Sequence, residues 1–223
     1  MSRCKQQFNP NNIGARIITE IQQRLIEWGR KNYADFPWRK TSNPFHALVA
    51  EIMLQRTKAE QVLSVYREFV KKYPKIRDAA KEDPDRIRRM LQPLGLRWRT
   101  EKVIDLIEEL TSRNEQIPET EDELIRLPGI GLYAASAFLS FHKGVKASII
   151  DRNAVRLWSR IFGFFTDSET HRKMWFIELT DRMTPQAQFK QFNYAVLDFA
   201  RMICKPKPAC NKCPLTSFCR YFL

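Results

Sequence analysis

Thr120-Glu-Asp-Glu-Leu-Ile-Arg-Leu-Pro-Gly-Ile-Gly-Leu-Tyr-Ala-Ala-Ser-Ala-Phe138 sets the architecture of this chain. Thr120-Glu-Asp-Glu123 fits a capping box, with Thr120 capping the N3 amide and Glu123 reaching back to the Thr120 amide. The helix expected behind it runs through Leu124 and Leu127 and stops at Pro128-Gly129. Gly131 permits a positive φ. A second helix is expected from about Leu132, and its Ala134, Ala135, Ala137 and Phe138 are small or apolar, suited to close helix packing. The product is two helices joined by a hairpin.

The same helical period extends in both directions. Ile17, Ile21, Leu25 and Trp28 recur at spacings of three and four. Ala47 to Leu54 is almost continuously apolar, and Val62, Val65 and Phe69 continue the pattern. Pro74, Pro84 and Pro93 shorten the middle helices, among them Ile87 to Leu91. Val103, Ile104, Ile107 and Leu110 form one face of another. Beyond the hairpin, Asp151 reads as the N-cap of a helix carrying Val155, Trp158, Ile161 and Phe162, ended by Gly163. Phe189 to Ile203 delivers Cys204. The class is all-α.

The 223 residues can form one large domain or two small ones, and 43% are hydrophobic, enough for a core. Lys+Arg 38 against Asp+Glu 25 gives a net charge of +13, which favours a polyanion, nucleic acid ahead of membrane. No apolar stretch of about 18 residues suggests a membrane span, and Met1-Ser-Arg-Cys-Lys-Gln-Gln has no secretory apolar core. The thiols are therefore expected in a reducing compartment: cytoplasm, near the nucleoid, in a prokaryote, or the nucleus in a eukaryote. A monomer is expected. Cys4 reads as a spectator.

Several residues carry chemistry. In a hairpin bare of side chains, backbone N–H groups at the second helix's start face outward and suit a DNA phosphate; an ordinary tight turn has the same sequence. Asp151 is a good helix cap, and near C1′ of a deoxyribose it would stabilise oxocarbenium charge. Glu51, within Leu48-Val-Ala-Glu-Ile-Met-Leu54, lies either on a solvated helix edge or buried, where a raised pKa suits proton donation. Tyr133 either packs or stacks on a base, and its phenol cannot form a Schiff base. Cys204-x5-Cys210-x2-Cys213-x5-Cys219 places four thiols within sixteen residues without a histidine. That donor set suits Zn(II) or a [4Fe–4S] cluster alike.

Phe36-Pro-Trp-Arg39, Ala50-Glu-Ile-Met-Leu-Gln-Arg-Thr57, Leu127-Pro-Gly-Ile-Gly131, Ile150-Asp-Arg-Asn153 and the four-cysteine tail together resemble the helix–hairpin–helix DNA glycosylases of the endonuclease III group, over nearly the whole length. The resemblance implies two helical lobes flanking a DNA cleft: a six-helix bundle over 43–145 with the hairpin, and a cluster lobe from 1–42 and 146–223. It implies a [4Fe–4S] cluster on Cys204, Cys210, Cys213 and Cys219, with zinc the lesser alternative, and Asp151 as the catalytic carboxylate. Endonuclease III has Lys at the Tyr133 position. Adenine glycosylases of the MutY type keep Glu at the Glu51 position and commonly place Ser at 133.

Tyr133 together with Glu51 most resembles the Mig-type thymine glycosylases, which act on G:T and G:U mismatches; Asp198-Phe-Ala echoes the same group. Gln55 and Arg56 fall where these enzymes insert side chains into the duplex, and are assigned to intercalation or to reading of the opposite guanine. Leu127, Gly129 and Gly131 are assigned to DNA, and Glu51 and Tyr133 join Asp151 at the catalytic site. The first cysteine gap is five residues where the family usually has six. The chain also ends soon after the cysteines, where adenine glycosylases carry a further domain. The expected function is monofunctional excision of thymine or uracil from mismatched or damaged double-stranded DNA, without lyase chemistry. Adenine excision is the alternative, and a non-catalytic DNA-binding module with a structural metal is the remote one.

Overall fold

A computed structural model describes residues 8–223, so Cys4 lies outside the described residues. Among those residues every regular element is helical, as the periodicity requires. The chain divides into two compact units: Asp35–Val145, and Lys146–Leu223 with the segment before it that ends at Ala34. The first break thus falls between Ala34 and Asp35. The residues just after it belong to the hairpin unit because Trp38 is buried there, stacked on Phe36 and edge-on to Tyr66 at 5.5 Å.

The hairpin unit is arranged around α2, Pro44–Leu54. Pro44 stands in its first turn and the Asn43 side chain accepts the Phe45 and His46 amides, so the start is fixed by sequence. Phe45 through Met53 are all buried, the signature of a helix enclosed on every side. α3 (Ala59–Lys72), α4 (Ile76–Ala80), α5 (Pro84–Leu91) and α6 (Arg97–Ser112) each turn one apolar stripe inward. Fully enclosed side chains such as Leu48, Phe69 and Leu106 contribute about 1.5–3 kcal/mol each. The single-turn α7 (Glu121–Leu124) and α8 (Leu132–Phe138) flank the hairpin, and α8 continues as a π-turn over Leu139–Lys143.

Three expectations about this segment are corrected. The Thr120 hydroxyl donates to the Glu123 carboxylate at 2.8 Å instead of accepting an amide, so no capping box forms. α7 stops at Leu124, short of the expected Leu127, and tighter turns carry the chain through Leu127. The left-handed residue is Gly129, at φ +77; Gly131 has φ −95.

The cysteine unit packs α1 (Ala15–Asn32) along α11 (Phe189–Met202), beside α9 (Arg152–Phe162) and α10 (Met174–Met183). Ile21, Leu25, Trp158, Phe176, Phe192 and Phe199 form its centre, with Trp158 stacked on Phe192. The tail is stitched to α9 by the Arg220 amide on the Ile161 carbonyl and by Leu215, which is buried in the same core.

Candidate active site and DNA-binding elements

The hairpin is held from beneath. Leu124, Leu127 and Ile130 are buried, and Gly129 presses against α2 and α6. A Cβ on Gly129 would lie 2.9 Å from Lys102 Cβ and 3.0 Å from Ile52 Cδ1, so both φ and space demand glycine there. Gly131 is different, because a Cβ at that position would meet nothing within 4 Å. Its bareness serves neither conformation nor internal packing. The α8 ladder begins with the Ala135 amide on the Gly131 carbonyl, leaving the first amides of the helix outside that ladder. The Ser136 hydroxyl donates to Glu121 at 2.9 Å and clasps α7 to α8. Leu127, assigned to DNA, has a buried side chain that anchors the turn, so any contact it makes with a phosphate is through its backbone.

Gln55, Arg56 and Glu51 come from the end of α2 and the turn after it. Gln55 donates from Nε2 to the Gly129 carbonyl at 2.8 Å, tying this turn to the hairpin. Arg56 is exposed and its backbone is left-handed, φ +56, a costly state for a residue with a side chain. Glu51 is 5% exposed, and its Oε2 has no hydrogen-bond partner among the described residues. Burial pushes its carboxyl up to about 8, only partly offset by the Arg39 charge. It therefore holds its proton at neutral pH. Tyr133, at the start of α8, is half-buried.

Asp151 belongs to the cysteine unit. It caps α9, with Oδ1 accepting the Ala154 amide at 2.7 Å and Oδ2 accepting from Asn153 Nδ2 at 2.6 Å. Surrounding protein raises its pKa although the side chain keeps some solvent contact; those two bonds and the Arg156 charge oppose the rise. Asn153 in turn accepts from Arg156, which donates to the Cys204 and Ala200 carbonyls. The carboxylate is thus the outer end of a polar chain that reaches the cysteine loop.

Cys204 is buried and Cys210, Cys213 and Cys219 are half-buried, all four as free thiols. Burial raises Cys204, and raises Cys213 to about 11. Cys213 feels the charges of the other three, so the four share one electrostatic neighbourhood. Arg160 Nη1 lies 3.5 Å from Cys204 Sγ, and the Leu215 amide donates to Cys213 Sγ at 3.4 Å. An all-thiol set with cationic and amide donors on sulfur fits a group that binds as thiolate. Among the described residues, however, no three His, Cys, Asp or Glu side chains are placed to hold a metal ion.

Two residues escaped the sequence reading. Arg99 is 2% exposed and binds the backbone carbonyls that lead into the exposed turns at Arg56 and Leu96. Leu96 is 39% exposed and left-handed, φ +54. A left-handed, exposed leucine carries no signature in an amphipathic pattern. Arg99 looks like any helical surface arginine.

Residues 49–178 match the family described as HhH-GPD superfamily base excision DNA repair protein. A thymine-DNA glycosylase of Aeropyrum pernix is 37% identical over 92% of this chain and 95% of its own length. A thymine/uracil-DNA glycosylase of Pyrobaculum aerophilum is 38% identical over 89% of this chain and 90% of its own. The solved structure of a thermostable thymine-DNA glycosylase superposes with a TM-score of 0.85 at 29% identity, covering 93% of this chain and 97% of that one. With its hairpin, buried Glu51 and capped Asp151, the chain belongs to the HhH-GPD superfamily of base excision DNA repair proteins.

Proposed function

We propose that this protein is a monofunctional DNA glycosylase that releases thymine or uracil from G:T and G:U mismatches by hydrolysis. The carrying observation is the buried, unpartnered Glu51 carboxyl in a chain that has Tyr133, and no amine, just after the hairpin. Full-length likeness to thymine and thymine/uracil glycosylases supports the choice of base. The hairpin would take a backbone phosphate on the open side of Gly131 while Arg56, Gln55 and the apolar Leu96 occupy the duplex beside the extruded base. A mismatched pair costs less to open, which supplies part of the selectivity.

Glu51 would protonate the departing base as the C1′–N bond breaks, the bonding pair leaving with the base. The Asp151 carboxylate would stabilise the positive sugar. Water would add hydroxide to C1′, and its proton would restore Glu51. Tyr133 would wall the base pocket. Without a primary amine there, no Schiff base forms and the abasic strand stays intact.

We also infer that Cys204, Cys210, Cys213 and Cys219 hold a [4Fe–4S] cluster. The sulfur-only donors and the Arg160 and Leu215 contacts support it. When bound, the cluster would cross-link the tail and so fix the far end of the Asp151 polar chain.

The test is a base-release panel on duplexes bearing G:T, G:U, or A opposite oxidised guanine, each with and without alkali. Release from G:T and G:U, with strand cleavage only after alkali, is expected. Asp151→Asn preserves the helix cap and should keep the fold while abolishing release. Cutting only the adenine duplex would move the protein to adenine excision, and unchanged release by Asp151→Asn would remove the assigned role.

A further inference from the structure

We infer that Arg99 is a positioning residue that fixes two exposed turns, at Arg56 and at Leu96, in one shape before DNA arrives. The inference deepens the glycosylase reading and rests on it. Arg99 starts from α6, yet its guanidinium is enclosed, 2% exposed. Nη1 donates to the Met53 and Gln55 carbonyls and to the Thr57 hydroxyl. Nη2 donates to the Leu94 and Gly95 carbonyls. The two groups of acceptors bracket Arg56 on one side and lead into Leu96 on the other.

Both bracketed residues are left-handed without being glycine, at φ +56 and φ +54. Such residues persist only where their surroundings over-determine them. The guanidinium does that here. It caps carbonyls that lie beyond the intrahelical ladder at the end of α2, where the helix dipole also favours a cation. Gln55 extends the brace, since its side chain donates to Gly129 of the hairpin. One buried cation therefore joins three exposed turns.

All five acceptors are neutral oxygens, so the enclosed charge is not balanced by an acid within this set. Burial of that kind is costly. An apolar residue of similar volume would fill the space at less cost but would leave the turns free. Lysine carries the charge without the planar fork, so it cannot reach both turns.

The test uses Arg99→Lys and the milder Thr57→Val on the full chain. Binding is measured to a duplex with a tetrahydrofuran abasic analogue opposite guanine and to a matched duplex, beside thermal melting. Arg99→Lys should lower the preference for the abasic duplex about tenfold and Thr57→Val about threefold, the scale of lost network contacts. Matched-duplex affinity, set by phosphate contacts, should stay within about twofold. A folded variant with its preference intact, or one whose two affinities fall together, overturns the proposal. If Arg99→Lys does not fold, Thr57→Val decides. Parental protein with no preference for the abasic duplex would instead sink the glycosylase reading, before any variant is compared.

Discussion

Glu51→Gln should make this protein more stable and less active, by amounts the burial of one carboxyl sets. The side chain is 5% exposed and its Oε2 is unpartnered among the described residues. Its pKa is raised from 4.5 to about 8. A folded-state value above the unfolded one means that the native state binds the proton more tightly. Stability from this group is then fully present below pH 4.5 and is lost as pH rises from 4.5 to about 8. At about 1.4 kcal/mol per unit, the loss approaches about 5 kcal/mol over the window and about 3 by pH 7.

Glutamine keeps the shape and does not titrate. Urea melts should show variant and parent nearly equal at about pH 4.5, with the variant ahead by about 5 kcal/mol at about pH 9. Single-turnover base release should fall by about a hundredfold or more, the usual worth of a general acid. In the parent, the rate should decline as pH rises through about 8. Parallel pH–stability curves for the two proteins would refute the reasoning, because the carboxyl would then be solvated or paired.

The hairpin glycines and the thiols give three more outcomes. Gly129→Ala should destabilise by about 1–3 kcal/mol, from the left-handed backbone and the crowding against Ile52 and Lys102. Gly131→Ala should leave the melting temperature within a degree or two but weaken DNA affinity at low salt, since only an absent ligand needs that space; unchanged affinity would remove the phosphate role. Purified protein should be brown, with broad visible absorbance and stoichiometric iron and sulfide, and should lose colour and melting temperature in Cys213→Ser. A colourless protein with stoichiometric zinc would contradict the cluster.

The hairpin was legible because Pro128-Gly129 cannot continue a helix and small residues follow at helical spacing. Asp151 was legible as a cap because its side chain bonds the backbone three residues on, a purely local event. Local competition also produced the failures. Thr120 had two possible partners, and the Glu123 carboxylate, a stronger acceptor than an amide is a donor, took its hydroxyl. Which of two nearby glycines turns left-handed depended on Ile52 and Lys102, which are remote in sequence. Glu51 left two readings open because the seven apolar residues around it in 47–54 fit either an edge or an interior; only the surrounding helices resolve it. Arg99 could not be found at all, since its acceptors lie up to 46 residues away and four of the five are backbone carbonyls that no side-chain pattern reveals.

The division of the chain also bears on how the protein is made. The hairpin unit is one uninterrupted stretch, Asp35–Val145, and can close as soon as it leaves the ribosome. α1 is synthesised earlier, yet Ile21, Leu25 and Trp28 find their apolar partners on α11, near the opposite end. The first helix must therefore wait, greasy side exposed, until α11 has been made. The thiol-bearing tail emerges later still, so any metal loading comes after α11, on a chain whose hairpin unit is already free to fold.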